Sequence, residues 1–131
     1  MNIAKEWLKA SKMDLDSIEY IINVEHLTPV VSFHAQQSVE KALKALLVSK
    51  DIRIPRIHSL NKLFKLVEAH LTLDDFKIID MLDDLYIESR YPGDMGLLPY
   101  GQPSLSDTKE FYLFAQDIFT KVSIILNKEN K

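Results

Sequence analysis

The chain has no cysteine in its 131 residues. That removes any disulfide framework and any thiolate metal site, and it fits a reducing compartment. Long apolar runs are also missing, and no stretch approaches the roughly 20 apolar residues of a membrane span. The first residues, MNIAKEWLKASKMDLD, carry charge early and lack the apolar centre of a secretory signal. Cations are not in excess. The formal net charge is -3, which argues against a general nucleic-acid binder while leaving room for a local basic patch. Glycine is scarce, with three in all, and these three and three of the five prolines fall between residues 92 and 103. Neither a repeat nor a low-complexity segment is evident. Glycine-rich phosphate loops, HExxH, GxSxG and calcium-loop motifs are absent. The four histidines, His26, His34, His58 and His70, are not paired at helical ligand spacing, so neither a metal site nor a cofactor is expected.

What is present is apolar spacing of three and four almost everywhere. Leu8, Leu15, Ile18 and Ile22 share a face of a first helix over about 2–24. Thr28 and Pro29 give a cap and a first-turn proline for a second helix reaching about Ser49. Its core positions are Val31, Ala35, Val39, Ala42 and Leu46. Pro55 interrupts KDIRIPRIH, with Ile54 and Ile57 as anchors of that link, and Ser59 caps a short third helix through Leu60, Leu63, Phe64 and Val67. Thr72 and Asp75 form a capping-box-like start to a fourth helix with Phe76, Ile79, Leu82 and Tyr86 on one face. A Gly/Pro-containing loop of about fifteen residues, YPGDMGLLPYGQPSLS, precedes the last helix. Asp107 and Glu110 suggest the box of that fifth helix, which runs through Phe111, Phe114, Ile118, Val122 and Ile125. The expectation is an all-α, single-domain (1–131), five-helix up-and-down bundle.

Three constellations carry chemistry. His34, Gln37, Lys41 and Lys44 line one side of the second helix at spacings of three, four and three. One reading is a solvated face with Glu40–Lys44 as a helical ion pair. The other is a groove wall. His34 lies between Phe33 and Ala35, so a partly buried ring in need of a partner is expected. In YIESRYPGD, a helix C-terminus explains Arg90, Pro92 and Gly93. It does not explain tyrosines 86 and 91 on either side of an arginine, a combination that also holds phosphates and bases. RIPRIHSL places Arg53, Arg56 and His58 in a basic link. His58 there either holds the start of the third helix or faces a phosphate.

Together, FHAQQSVEKALKALL, HSLNKL and YIESRYPGD resemble an HEPN domain protein (higher eukaryotes and prokaryotes nucleotide-binding), over nearly the whole chain. The resemblance implies a five-helix bundle, usually dimeric and related to the helical domain of aminoglycoside nucleotidyltransferases. Members are often encoded beside a minimal nucleotidyltransferase and form toxin–antitoxin pairs with it. Ribonuclease members carry an arginine, four to six residues, then a histidine, late in the domain. Arg90 sits where that arginine is expected, but YPGDMGLLPYG after it holds no histidine. Arg53 to His58 has the spacing, but earlier in the chain and across Pro55.

The expectation is therefore a cytoplasmic, homodimeric, non-membrane protein that acts with a minimal nucleotidyltransferase and binds a nucleotide or phosphate-bearing ligand. His34, Lys41, Arg90, Tyr91 and His58 are its candidate contacts. A metal-independent endoribonuclease toxin using Arg53 and His58 is the alternative, and a structural homodimer without ligand is the third. Apolar Leu97, Leu98 and Tyr100 are the reason for expecting a dimer.

Overall fold

The computed structural model describes residues 2–73, 75–90 and 102–129, without the side chains of 87–90 and 129. Among these residues there are five α-helices, one short 3-10 turn and no strand. The helices are α1 (Ile3–Ile21), α2 (Thr28–Ser49), α3 (Leu60–Val67), α4 (Phe76–Arg90) and α5 (Leu105–Glu129). The Leu97, Leu98 and Tyr100 patch lies outside the described residues.

The second helix is the centre of the bundle and packs against the other four. Of its 22 residues, 14 are buried. It is buried on most sides, by polar as well as apolar residues. Val31, Ala35, Val39, Ala42, Leu43 and Leu46 have no exposed surface, and they meet Leu15 and Ile18 of α1, Ile79 and Leu82 of α4, and Phe111, Ile118 and Val122 of α5 in one core. Burying each of the larger of these side chains contributes roughly 1.5–3 kcal/mol before entropy is counted.

The first two helices run antiparallel. Trp7 meets Lys44, Ser11 meets Ser38, and Asp14 meets His34, so numbering rises along one helix as it falls along the other. At the crossing each serine hydroxyl donates to the other's backbone carbonyl, Ser11 Oγ to Ser38 O at 2.7 Å and Ser38 Oγ to Ser11 O at 3.1 Å. Two small residues allow the approach, and the exchange leaves no buried hydroxyl unsatisfied there.

Three helix starts differ from the sequence expectation. Thr28 is the first residue of α2 rather than its cap, because the 3-10 turn Glu25–Leu27 delivers the chain already in helical conformation (φ -55°, ψ -37°). Asp75, not Thr72, caps α4, accepting from Lys77 N at 3.0 Å. The box opening α5 lies three residues earlier than expected. Ser104 N donates to Asp107 Oδ2 and Asp107 N donates to Ser104 Oγ, both at 3.0 Å. At the other end of α2, Asp51 takes the left-handed conformation (φ 57°) and Ile52 N reaches Leu47 O at 2.9 Å. This is the helix-terminating turn that most often uses glycine and that aspartate tolerates. The turn releases the chain into the link 52–58. Ile54 and Ile57 pack on the core as expected, and the link carries His58 back over α2.

Candidate functional site

Two carboxylates lie inside the polar side of the bundle. Asp14 of α1 and Glu40 of α2 are 7% and 4% exposed. A buried carboxylate needs charged or hydrogen-bonding partners to offset its lost hydration. Asp14 Oδ1 accepts from His34 Nδ1 at 2.9 Å, and its Oδ2 accepts from Lys41 Nζ at 2.8 Å. Glu40 Oε2 accepts from Lys44 Nζ at 3.0 Å, while its Oε1 accepts from His58 Nδ1 at 3.1 Å and Gln36 Nε2 at 3.2 Å. Each carboxylate thus holds one lysine and one histidine.

The helical stripe divides between these two centres. His34 and Lys41 reach across to α1, with about a quarter of each side chain exposed. Gln37 Nε2 donates to Gln36 Oε1 at 2.7 Å. The solvated-face reading fails at Lys44, which is buried at 7% exposure with its ammonium 5.5 Å from the Trp7 ring centre. The expected Glu40–Lys44 pair exists, but in the interior.

His58 belongs to the same surface. Its carbonyl accepts from Gln36 Nε2 at 3.0 Å, which fixes the link against α2. Its ring is half exposed and lies 5.2 Å from the Tyr86 ring of α4. Tyr86 is nearly parallel to Phe33 (14°, 6.3 Å), and Phe33 meets His34 edge-on at 5.7 Å. The result is one continuous row, His34–Phe33–Tyr86–His58, with the two carboxylate centres beneath its ends. Neither imidazole Nε2 has a partner among the described residues.

Arg90 closes α4, four residues beyond Tyr86. Its side chain and all of Tyr91 lie outside the described residues. Arg53 is exposed, and no contact joins it to His58 among the described residues. The structure thus gathers His34, Lys41 and His58, and adds four residues that the sequence reading did not name as contacts: Asp14, Phe33, Glu40 and Tyr86. A signal for the two acids was present. Asp14 falls between Ser11 and Ile18 at core spacing, and Glu40 falls between Gln36 and Leu43, so each places a charge on an inward face.

The comparisons with known proteins agree with this frame. The HEPN domain family model matches residues 4–125. This chain belongs to the HEPN family. Among its relatives, the Methanocaldococcus jannaschii protein named "Putative toxin MJ1304" is 30% identical over 98 residues, covering 68% of this chain. This HEPN chain spans 63% of that protein's length. In structure it is similar to TT1696 from Thermus thermophilus, with a TM-score of 0.74, 25% identity, and coverage of 94% of this chain and 98% of that one. It is similar also to an archaeal HEPN homologue, with a TM-score of 0.68, 27% identity, and coverage of 92% and 94%. Among the described residues of this HEPN protein, no helix is long and apolar enough to cross a membrane.

Proposed function

We propose that this HEPN protein binds a nucleotide or another phosphate-bearing ligand along the α2–α4 surface, and that it acts in the cytoplasm with a minimal nucleotidyltransferase partner. The observation that carries the reading is the half-open aromatic pair Phe33–Tyr86 with an imidazole at each end. Aromatic faces stack on a base, and the flanking imidazoles and Lys41 can donate to phosphate oxygens. Arg90 lies one turn beyond Tyr86 along α4, on the same side of the helix. Calorimetric titration with a pentaadenylate RNA tests this, because the probe offers both bases and phosphates. Binding is expected, and Lys41→Ala is expected to weaken it about ten- to a hundredfold, the effect of one charge-assisted hydrogen bond. An absence of heat at millimolar probe would refute the reading.

A homodimer is part of the same proposal. Met13, Tyr20 and Leu113 leave apolar surface on the neighbouring helices α1 and α5. A monomer mass by light scattering at tens of micromolar would remove it. The endoribonuclease reading has one observation in its favour: Glu40 holds the His58 ring by Nδ1, a carboxylate–imidazole arrangement that suits proton transfer at the other nitrogen. Cleavage of a mixed RNA pool, lost in His58→Ala with the fold intact, would favour that second reading over the first.

A further inference from the structure

We infer that anion binding at this surface is coupled to proton uptake by His34 and His58, an inference that rests on the ligand-binding reading above. Both imidazoles point Nδ1 at a buried carboxylate oxygen, at 2.9 Å for His34 and 3.1 Å for His58. A carboxylate oxygen only accepts, so Nδ1 carries the hydrogen in each ring. In a neutral imidazole the other nitrogen, Nε2, is then a lone pair. A phosphate oxygen is an acceptor as well, so two acceptors would face each other. Each histidine that contacts phosphate through Nε2 must first gain a proton.

The surrounding charges lead to the same result. Facing His34 are Asp14 from α1, Lys41 from α2 and the Phe33 ring. Facing His58 are Glu40 from α2, with Lys44 and Gln36 behind it, and the Tyr86 ring from α4. Arg53 and Arg56 are exposed on the link itself. Each lysine is already matched to a carboxylate. With both imidazoles neutral the two centres sum to zero charge, and protonation of both supplies two positive charges where the ligand arrives. The buried acids thus keep each ring oriented by its Nδ1–H.

The consequence is a ligand grip that strengthens as the solution is acidified. The test uses pentaadenylate RNA, whose phosphodiesters keep their charge from pH 6 to pH 8. Calorimetry in buffers of low and high ionisation enthalpy counts the protons taken up per binding event. Uptake of about one proton per engaged histidine is expected, with affinity rising about tenfold or more from pH 8 to pH 6. His34→Gln and His58→Gln supply an amide donor that needs no proton. Each variant should still bind, and each should lose about one proton of uptake, which a purely structural histidine would not do. Imidazole carbon resonances of the wild type, followed by NMR with and without the probe, give the same answer should a variant fold poorly. Binding without proton uptake would overturn this inference and leave the ligand-binding reading standing. Undiminished uptake in both glutamine variants would overturn the assignment to these residues. Failure of the probe to bind at any pH would overturn both readings.

Discussion

Asp83 and the Asp14–Glu40 pair are carboxylates put to different uses in one small bundle. Asp83 of α4 faces the start of α3. Its Oδ1 accepts from Leu60 N at 2.7 Å and its Oδ2 accepts from Asn61 N at 3.2 Å. Asn61 Nδ2 and Ser59 Oγ add two more bonds, at 3.1 and 3.4 Å. Its partners include main-chain amides that no helix hydrogen bond would otherwise use, and none of them titrates. Asp14 and Glu40 are satisfied by lysine and histidine side chains, and three of those four side chains reach solvent. An acid committed to backbone amides braces a helix start. An acid committed to titratable side chains at a surface sets the protonation and direction of groups that can meet a ligand. The distinction lies in the partners, since all three acids sit on inward-facing helix positions.

The largest expected effect comes from breaking the second kind of centre. Glu40→Ala leaves Lys44 buried without its counter-charge and takes an acceptor from Gln36 and His58. Removing one partner of a buried ion pair costs about 3–5 kcal/mol. Denaturant unfolding should show that loss, and the ligand surface should fail with it. Asp83→Ala comes next. It leaves the Ser59 cap in place but removes charge-assisted bonds to two backbone amides at the start of α3, for a loss of about 2 kcal/mol. Pentaadenylate binding by the folded fraction should be unchanged. If Asp83→Ala abolished binding as thoroughly as Glu40→Ala, the division between brace and site would collapse.

Much of the fold was legible because helical spacing is a local property. The runs through Val31–Leu46 and Phe111–Val122 specify buried stripes without knowledge of any partner. Caps were less legible for a definite reason. Short-range patterns of Ser, Thr, Asp and Glu recur, and several registers fit near each helix start. Ser59 was identified correctly, and its Oγ accepts from Lys62 N at 3.3 Å. Around α4 and α5 the bond went to Asp75 and to the Ser104–Asp107 pair, because the path of the incoming chain decides which side chain reaches the free amides. The site was half legible. His34 announced that it needed a partner, but the partner is 20 residues away on α1, and only the antiparallel register of α1 and α2 supplies it. Lys44 read as surface, since lysine rarely lies buried, and only Trp7 and Glu40 together make that place tolerable.

A smaller effect is expected at the α5 box, where Asp107 is a carboxylate of the bracing kind and its partner Ser104 is exposed. Ser104→Ala removes the acceptor for Asp107 N and should cost about 1 kcal/mol, with no change in ligand affinity. A loss well below that would mean that water replaces the serine hydroxyl there.

The smallest effect is expected where acids sit at the surface and hold neither backbone nor site. On the α1–α5 face, Tyr112 donates its hydroxyl to Glu19 at 3.1 Å, and Lys12 pairs with Asp16 at 2.8 Å. Burial of the phenol, then the hydrogen bond to Glu19, raises the Tyr112 pKa above its ordinary 10.0. The bond to Asp16 likewise raises Lys12 above 10.5, against a smaller opposing effect of burial. Both groups therefore hold a proton more tightly in the folded chain than in the unfolded one. Their contribution is fully present below the unfolded values and disappears as pH climbs through the folded ones, so stability should decline only above about pH 10. Tyr112→Phe keeps the ring and deletes the titrating hydroxyl. At pH 7 its melting temperature should stay within a degree or two of wild type, because an exposed hydrogen bond contributes little. Between pH 9 and pH 11 its stability should fall less steeply than that of the wild type, with Lys12 supplying what slope remains. Parallel alkaline limbs for the two proteins would show that the Tyr112–Glu19 contact does not persist in solution. A large loss at pH 7 would place this pair with the bracing carboxylates instead.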